Sequence, residues 1–300
     1  MDITLQGQTK PARAENNTVR GFAYGVWVKR PGGLPGSPGH DVGPGNLIED
    51  NAQGVLLGDG DAVNTYAWAD LHGNTIRNNS IGVNVTATAY SNGPDVDLYP
   101  AYATLWENAI VNNSQVGVLV RSWVALDVGA GAVKPPWAKV YDNNTIAGNP
   151  TGIRVQGSTM PTAGVYPAWA NVSENNTVAN NTYGVWIDGP TVDPNQGKFR
   201  LWWNDIRDNT QPQGGVYVDG DPTLQWGADR YFNATCNWWK HDSGPFDPSG
   251  PPPIGLPDWN PTGQGQPVSD YFYYRERPPI PSPRLKWLDG PALSGACLTE

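Results

Sequence analysis

Asp188 and Asp219 are the residues whose types and spacing best suit chemistry. Each closes a short segment of one pattern, Gly184-Val185-Trp186-Ile187 and Gly215-Val216-Tyr217-Val218. Stacked as neighbouring strands, these segments would hold the two carboxylates about 5 Å apart, the separation of acid and nucleophile in retaining glycoside hydrolysis. Asp221, Arg121 and Arg154 are expected nearby. The same aspartates begin Asp188-Gly189-Pro190 and Asp219-Gly220-Asp221-Pro222, which are ordinary turn sequences, so a purely structural role competes. Asp59-Gly60-Asp61 and Asp95-Val96-Asp97 read as Ca²⁺ ligands or, equally, as solvated loops. His40, His72 and His241 are too far apart in sequence to make a metal-ligand spacing. No phosphate loop or nucleophile elbow occurs, and no cofactor or metal is implied.

The elements that must position these side chains come from an internal repeat. The unit Asn-x-Ile/Val-x-x-Asn-x-x-Gly-Val-x-Val starts at Asn46, Asn74, Asn144 and Asn176, with insertions in the copies at Asn108 and Asn204. A first copy at Asn17 carries Phe22 in place of the second Asn, and a partial eighth is Asn237-Trp238-Trp239. Its marker glycines are Gly25, Gly54, Gly82, Gly117, Gly152, Gly184 and Gly215, at steps of 28 to 35 residues. The variable length falls in Gly- and Pro-rich loops after the Gly-Val-x-Val segment. A third short element precedes each leading Asn, as in Ala69-x-Leu71, Ala103-x-Leu105, Ala138-x-Val140, Ala170-x-Val172 and Phe199-x-Leu201.

Three alternating segments per unit, none with a helical period, make an all-β solenoid. Strands this short bury nothing alone; stacked copies pair with their equivalents about 4.8 Å above and below. Apolar columns follow: Val19, Ile48, Ile76, Ile110, Ile146, Val178, Ile206, and Val26, Val55, Val83, Val118, Ile153, Val185, Val216. Asn51, Asn79, Asn113, Asn149, Asn181 and Asn209 form a polar column at a corner. There Asn tolerates a left-handed backbone, and stacked amides can bond coil to coil. The marker glycines are expected to supply positive φ or close approach. The outward residue of Gly-Val-x-Val reads Trp27, Leu56, Asn84, Leu119, Arg154, Trp186, Tyr217. Trp27, Trp186 and Tyr217 are thus a candidate interaction surface, with loops, a glycan or a partner subunit as cover. Trp68, Tyr102, Trp137 and Trp169 repeat aromatics beside the third element, for loop packing or interaction.

The repeat resembles that of right-handed parallel β-helix proteins, which include pectate lyase-like sugar enzymes and extracellular surface proteins. The resemblance spans roughly residues 1 to 240. Cys236-Asn237-Trp238-Trp239-Lys240-His241-Asp242-Ser243-Gly244-Pro245 is similar to the Asn-Trp-Trp-Gly-x-x-Ser-Gly-Pro terminator of bacterial and archaeal surface β-helices, with Lys240 where Gly is usual. Asn260-Pro261-Thr262-Gly263-Gln264-Gly265 and Val268-Ser269-Asp270 are similar to that family's trailing segment. The resemblance implies a right-handed parallel β-helix of about seven to eight three-stranded coils over residues 1–241. None of the signature sets of its sugar-cleaving members is intact.

Residues 242–300 hold 13 of the 29 prolines and no repeat core, and read as a Pro-rich capping strap over the last coil's open sheet edge. Cys236 and Cys297 either join that strap to the last coil, closing a loop of about 60 residues, or remain two buried thiols. At the other end, Ile3-x-Leu5-x-Gly7 and Ala12-x-Ala14 read as a start in mid-coil, an edge open to head-to-tail stacking of copies. The Asn-x-Ser/Thr pattern marks Asn16, Asn78, Asn84, Asn112, Asn143, Asn171, Asn175, Asn180 and Asn233 as N-glycosylation candidates. Most arise from the repeat itself, and Asn84 is expected to point outward.

Composition bounds the rest. Glycine (36) and proline (29) are enriched, but 14 Trp and 13 Tyr argue against a disordered polymer. A formal charge of −9 argues against a nucleic-acid partner and an anionic membrane surface. No apolar run is long enough for a membrane span. The reading is a non-catalytic extracellular or cell-surface structural, adhesion or assembly protein, with filament stacking and surface polysaccharide as expected partners. A polysaccharide lyase or glycoside hydrolase, or a glycan-binding protein without cleavage, is the alternative.

Overall fold

The chain folds as an all-β parallel solenoid. The computed structural model describes residues 3–7, 11–31, 39–58, 67–89, 101–124, 136–160, 164–166, 168–188, 200–211, 214–219 and 237–240. The proposed strap (242–300), Asn233, Cys236, Cys297, His241 and the Asp59–Asp61 and Asp95–Asp97 pairs lie outside these residues.

Three sheets run the length of the stack. The first has eight strands: Ile3–Gly7, Tyr24–Pro31, Gln53–Gly58, Ile81–Ala89, Val116–Val124, Thr151–Gln156, Tyr183–Asp188 and Val216–Asp219. The second has seven: Arg13–Ala14, His40–Val42, Ala67–His72, Ala101–Trp106, Trp137–Tyr141, Trp169–Ser173 and Arg200–Trp202. The third also has seven: Thr18–Arg20, Leu47–Glu49, Thr75–Arg77, Ala109–Val111, Thr145–Ala147, Thr177–Ala179 and Asp205–Arg207. The chain visits the sheets in rotation, and every strand pairs in parallel with its counterpart one turn away. Among the described residues one antiparallel hairpin, Ser158–Met160 with Gly164–Tyr166, interrupts this pattern and lies against the Val116–Val124 strand.

Register follows the repeat residue for residue. Val26, Val55, Val83, Val118, Ile153, Val185 and Val216 are aligned, and so are Val19, Ile48, Ile76, Ile110, Ile146, Val178 and Ile206. With Leu71, Leu105, Val140, Val172 and Leu201 from the second sheet, these columns from Val26 and Ile48 onward form one enclosed core, and Val19 is buried beside Ile48. Each such aliphatic side chain stabilises the fold by about 1.5–3 kcal/mol relative to exposure.

The corners are built from two residues rather than one. Positive φ falls on the residue before each inward Asn: Asp50 (58°), Asn78 (56°), Asn112 (55°), Gly148 (68°), Asn180 (55°) and Asp208 (56°) at one corner. At the other corner it falls on Gly45 (80°), Gly73 (59°), Glu107 (56°), Asn143 (62°), Asn175 (63°) and Trp203 (56°). The ladder asparagines thus need no left-handed backbone themselves; their amides turn inward, and the preceding residue makes the bend. The marker glycines are not needed for positive φ either. A Cβ on Gly82 would stand 2.5 Å from the Gly117 carbonyl and 2.9 Å from Asn113 Nδ2, and Gly25, Gly54, Gly117, Gly152 and Gly184 are crowded alike. Close approach of successive rungs is what excludes a side chain there.

Candidate functional site

Six asparagines of the predicted column do bond coil to coil. The Nδ2 group of Asn51 donates to Asn79 Oδ1 (3.0 Å), and the links Asn79–Asn113, Asn113–Asn149, Asn149–Asn181 and Asn181–Asn209 are each 3.1 Å. Each backbone N–H donates to the same oxygen, and each Nδ2 also reaches a carbonyl of a preceding rung. The leading asparagines form a second ladder that the sequence reading did not assign: Asn17, Asn46, Asn74, Asn108, Asn144, Asn176, Asn204 and Asn237, linked at 2.8–3.1 Å. The signal was present, since that column is more regular than the first. Buried amide groups that satisfy one another this fully hold one rung geometry.

The aspartate pair stands in register, Asp188 opposite Asp219 on adjacent strands of the first sheet. Asp188 is already engaged: Arg154 makes an ion pair with Oδ2, and Gln156 Nε2 donates to the same oxygen at 3.1 Å. The Arg154 guanidinium lies over the Trp186 ring at 4.4 Å. Asp188 is therefore one end of a packed Gln–Arg–Asp–Trp contact, an arrangement that holds the face together.

The first sheet's outward aromatics do not make one surface. Register runs Trp27, Leu56, Asn84, Leu119, Arg154, Trp186, Tyr217. The middle of that row is enclosed: Leu56 is 0% exposed, Asn84 2% and Leu119 4%. Trp27 stands at one end with Tyr24 and the Lys29 ammonium on its ring, and donates Nε1–H to Gly58 O. Trp186 and Tyr217 pack with Tyr183 at the other. Asn84 was expected outward as a glycan acceptor. Instead it is enclosed, its Nδ2 donating to Gln53 Oε1 at 2.8 Å and its Oδ1 accepting from Thr86. Asn16, Asn78, Asn112, Asn143, Asn175 and Asn180 are exposed, and all six are left-handed corner residues preceding a ladder position. Asn171 is half-buried on the second sheet.

The second sheet carries the more organised outer face. Alternation turns Ala67, Ala69 and Leu71 inward and Trp68, Asp70 and His72 outward, and later rungs repeat this. Three outward columns result. Trp68, Tyr102, Trp137 and Trp169 form one. Asp41, Asp70, Thr104, Lys139 and Asn171 form the middle one. His72, Trp106 and Tyr141 form the third. Two residues along a strand is roughly 6.6 Å, so the aromatic columns flank a polar lane at roughly 13 Å separation.

At one end of this lane lies a charge cluster absent from the sequence expectations. Asp41 accepts from Arg13 Nε at 3.0 Å and from His72 Nε2 at 2.9 Å, and His72 stacks on Trp106 (4.7 Å, 3°). Asp70 is Asp41's register partner. Burial pushes the Asp70 carboxyl above its ordinary value; Thr104, His72 and Trp68 work against that shift and Asp41 adds to it. Both Asp41 oxygens are thus occupied by cationic or ring donors. His40 is fully buried, with Nδ1 accepting the Ala12 N–H at 2.9 Å.

Among the described residues no cluster of three or more His, Cys, Asp or Glu is placed to hold a metal, and no helix is long and apolar enough to cross a membrane. No family model matches this chain, and neither does any curated protein or solved structure.

Proposed function

We propose that this protein is a non-catalytic structural or adhesion scaffold of the extracellular kind, a rod whose outer faces serve contact rather than turnover. The observation that carries this reading is the continuity of the two asparagine ladders, which join each rung to the next by side chain and backbone along the stack. Such a frame favours a fixed shape over the mobile lids that enclose many active sites. The occupied state of Asp188 and Asp41 supports the same side.

Kinship with the pectate lyase-like β-helix proteins is part of the proposal. It is supported at the terminator-like segment, where Asn237 extends the leading ladder, Trp239 is 1% exposed and Trp238 bridges to Asp205. Lys240, standing where that motif has Gly, takes the left-handed φ of 72° that a Gly would supply. Head-to-tail stacking of copies would carry the leading ladder from one chain into the next, while the other ends at the rung where Phe22 replaces Asn.

Negative-stain microscopy of the native material, together with incubation against an array of acidic and neutral polysaccharides, tests the reading. Rods or filaments without chain cleavage are expected. Cleavage that Asp219→Asn abolishes would overturn it in favour of a hydrolase or lyase.

A further inference from the structure

The polar lane of the second sheet contains an unmet hydrogen-bonding demand. Trp169 Nε1 and Asn171 Oδ1 are both buried without a hydrogen-bond partner. They belong to outward residues two positions apart on one strand, Trp169–Ser173. One is a donor and the other an acceptor. A hydroxyl group, which both gives and takes a hydrogen bond, has the chemistry to satisfy the pair once the half-buried Trp169 and Asn171 side chains turn outward to meet it, since both atoms are closed to solvent as the chain stands.

The surroundings select what bears that hydroxyl. Tyr102, Trp137 and Trp169 meet at 5.2 Å with interplanar angles of 64° and 83°. In such edge-to-face pairs the edge of one ring meets one face of the other, so each contact engages a single ring face where a parallel stack engages two. His72 and Trp106, by contrast, lie parallel and cover each other. The first column is therefore a stacking surface and the third a wall. Between them the middle lane mixes Asp41 and Asp70 with Thr104, Lys139 and Asn171, so it offers no field of one sign. A chain of net charge −9 also repels polyanions. Pyranose rings combine apolar C–H faces with edge hydroxyls, which matches a lane edged by aromatics and floored with polar groups.

We propose that the outward face of the second sheet, centred on Trp137, Lys139, Trp169 and Asn171, binds an uncharged polysaccharide laid along the rod. This goes beyond the scaffold reading and does not depend on it: a rod that assembles but holds no glycan keeps the one and loses the other.

Affinity electrophoresis of the full chain in native gels containing a soluble mixed-linkage β-glucan, glucomannan, xylan or polygalacturonate tests it. At least one of the three neutral polymers is expected to retard the protein, and polygalacturonate is not. Trp137→Ala and Asn171→Ala should each weaken retention tenfold or more. Trp137→Phe, which keeps a stacking ring and guards against a folding defect in the alanine variant, should weaken it less. Trp27→Ala, on the first sheet, should leave it unchanged, with circular dichroism confirming intact β-structure for every variant. Retention by polygalacturonate alone, retention by none of the four, or equal loss in Trp27→Ala would overturn the proposal.

Discussion

Replacing Asn113 by alanine should be among the most damaging single changes to this fold, for a reason that can be counted. Its Oδ1 accepts from the Asn79 backbone N–H (3.0 Å) and from Asn79 Nδ2 (3.1 Å); its own Nδ2 donates to Asn149 Oδ1 (3.1 Å) and Ile76 O (3.4 Å). After the change, Asn79 Nδ2 still has Ile48 O and Arg77 O, and Asn149 Oδ1 still has the Asn113 backbone N–H. The group left orphaned is the Asn79 backbone N–H, inside the protein. One buried unsatisfied donor costs about 1–3 kcal/mol, and the three other lost bonds about 1 kcal/mol each, so the expected loss is about 4–6 kcal/mol. That is a large share of the 5–15 kcal/mol typical of a whole domain. Asn113→Asp should be worse still, because an oxygen then replaces Nδ2 against Asn149 Oδ1 and Ile76 O, and a charge is buried. Guanidinium unfolding followed by tryptophan fluorescence reads both variants, and a split transition would report the stack coming apart at that rung. A loss under about 1 kcal/mol for alanine, or an aspartate variant as stable as the alanine one, would refute the ladder account.

Three further outcomes follow from the same geometry. Gly82→Ala, whose new Cβ would meet the Gly117 carbonyl at 2.5 Å, should destabilise by about 1–3 kcal/mol in the same unfolding assay; a neutral result would mean the rungs can separate locally. Asp70 holds its proton more tightly when folded, chiefly through burial, so its contribution is complete below the ordinary carboxylate range and lost as pH rises through the raised value. Asp70→Asn should therefore melt above the parent near pH 7 and lose that advantage in acid; a lower melting point near pH 7 would reverse the argument. Lys240→Gly removes a left-handed residue that costs about 1–2 kcal/mol and gives up only a pair with Asp208 in which the lysine is 63% exposed, so it should be neutral or stabilising by about 1 kcal/mol. A loss larger than that would show that the ion pair, and not the backbone, governs the turn.

The architecture was legible because a solenoid writes each contact into the sequence many times. Val55 pairs with Val83 and Val83 with Val118, so the alignment of copies is already the contact list. The same logic placed Asp188 opposite Asp219 and put Trp68, Tyr102, Trp137 and Trp169 in one column. What did not follow from alignment was which side of a column is covered. Leu56, Asn84 and Leu119 share a row with Trp27 and Trp186, yet burial separates them, because register fixes which residues are neighbours along a column and not what lies over it. Corner chemistry was also hidden by identity of type. In Asn112-Asn113 one residue bends the chain and the other bonds the coils, and only backbone angles distinguish them.

That division of labour bears on how such a surface acquires function. The ladder position needs an amide with one oxygen and one NH₂, aligned along the stack, so only asparagine fits it well. The preceding position needs only tolerance of positive φ, and it is filled variously by Asn, Asp, Glu, Gly and even Trp203. The outward positions of the second sheet are freer again: in one register column Asp41, Asp70, Thr104, Lys139 and Asn171 succeed one another while the residues on either side of each stay buried. Each rung can therefore present its own outer side chains at about 4.8 Å intervals while the frame is maintained by residues facing the other way. Recognition of an extended polymer requires that kind of surface, regular in spacing and variable in chemistry. The Trp137–Lys139–Tyr141 and Trp169–Asn171 rungs are where this chain places aromatic, cationic and amide groups side by side.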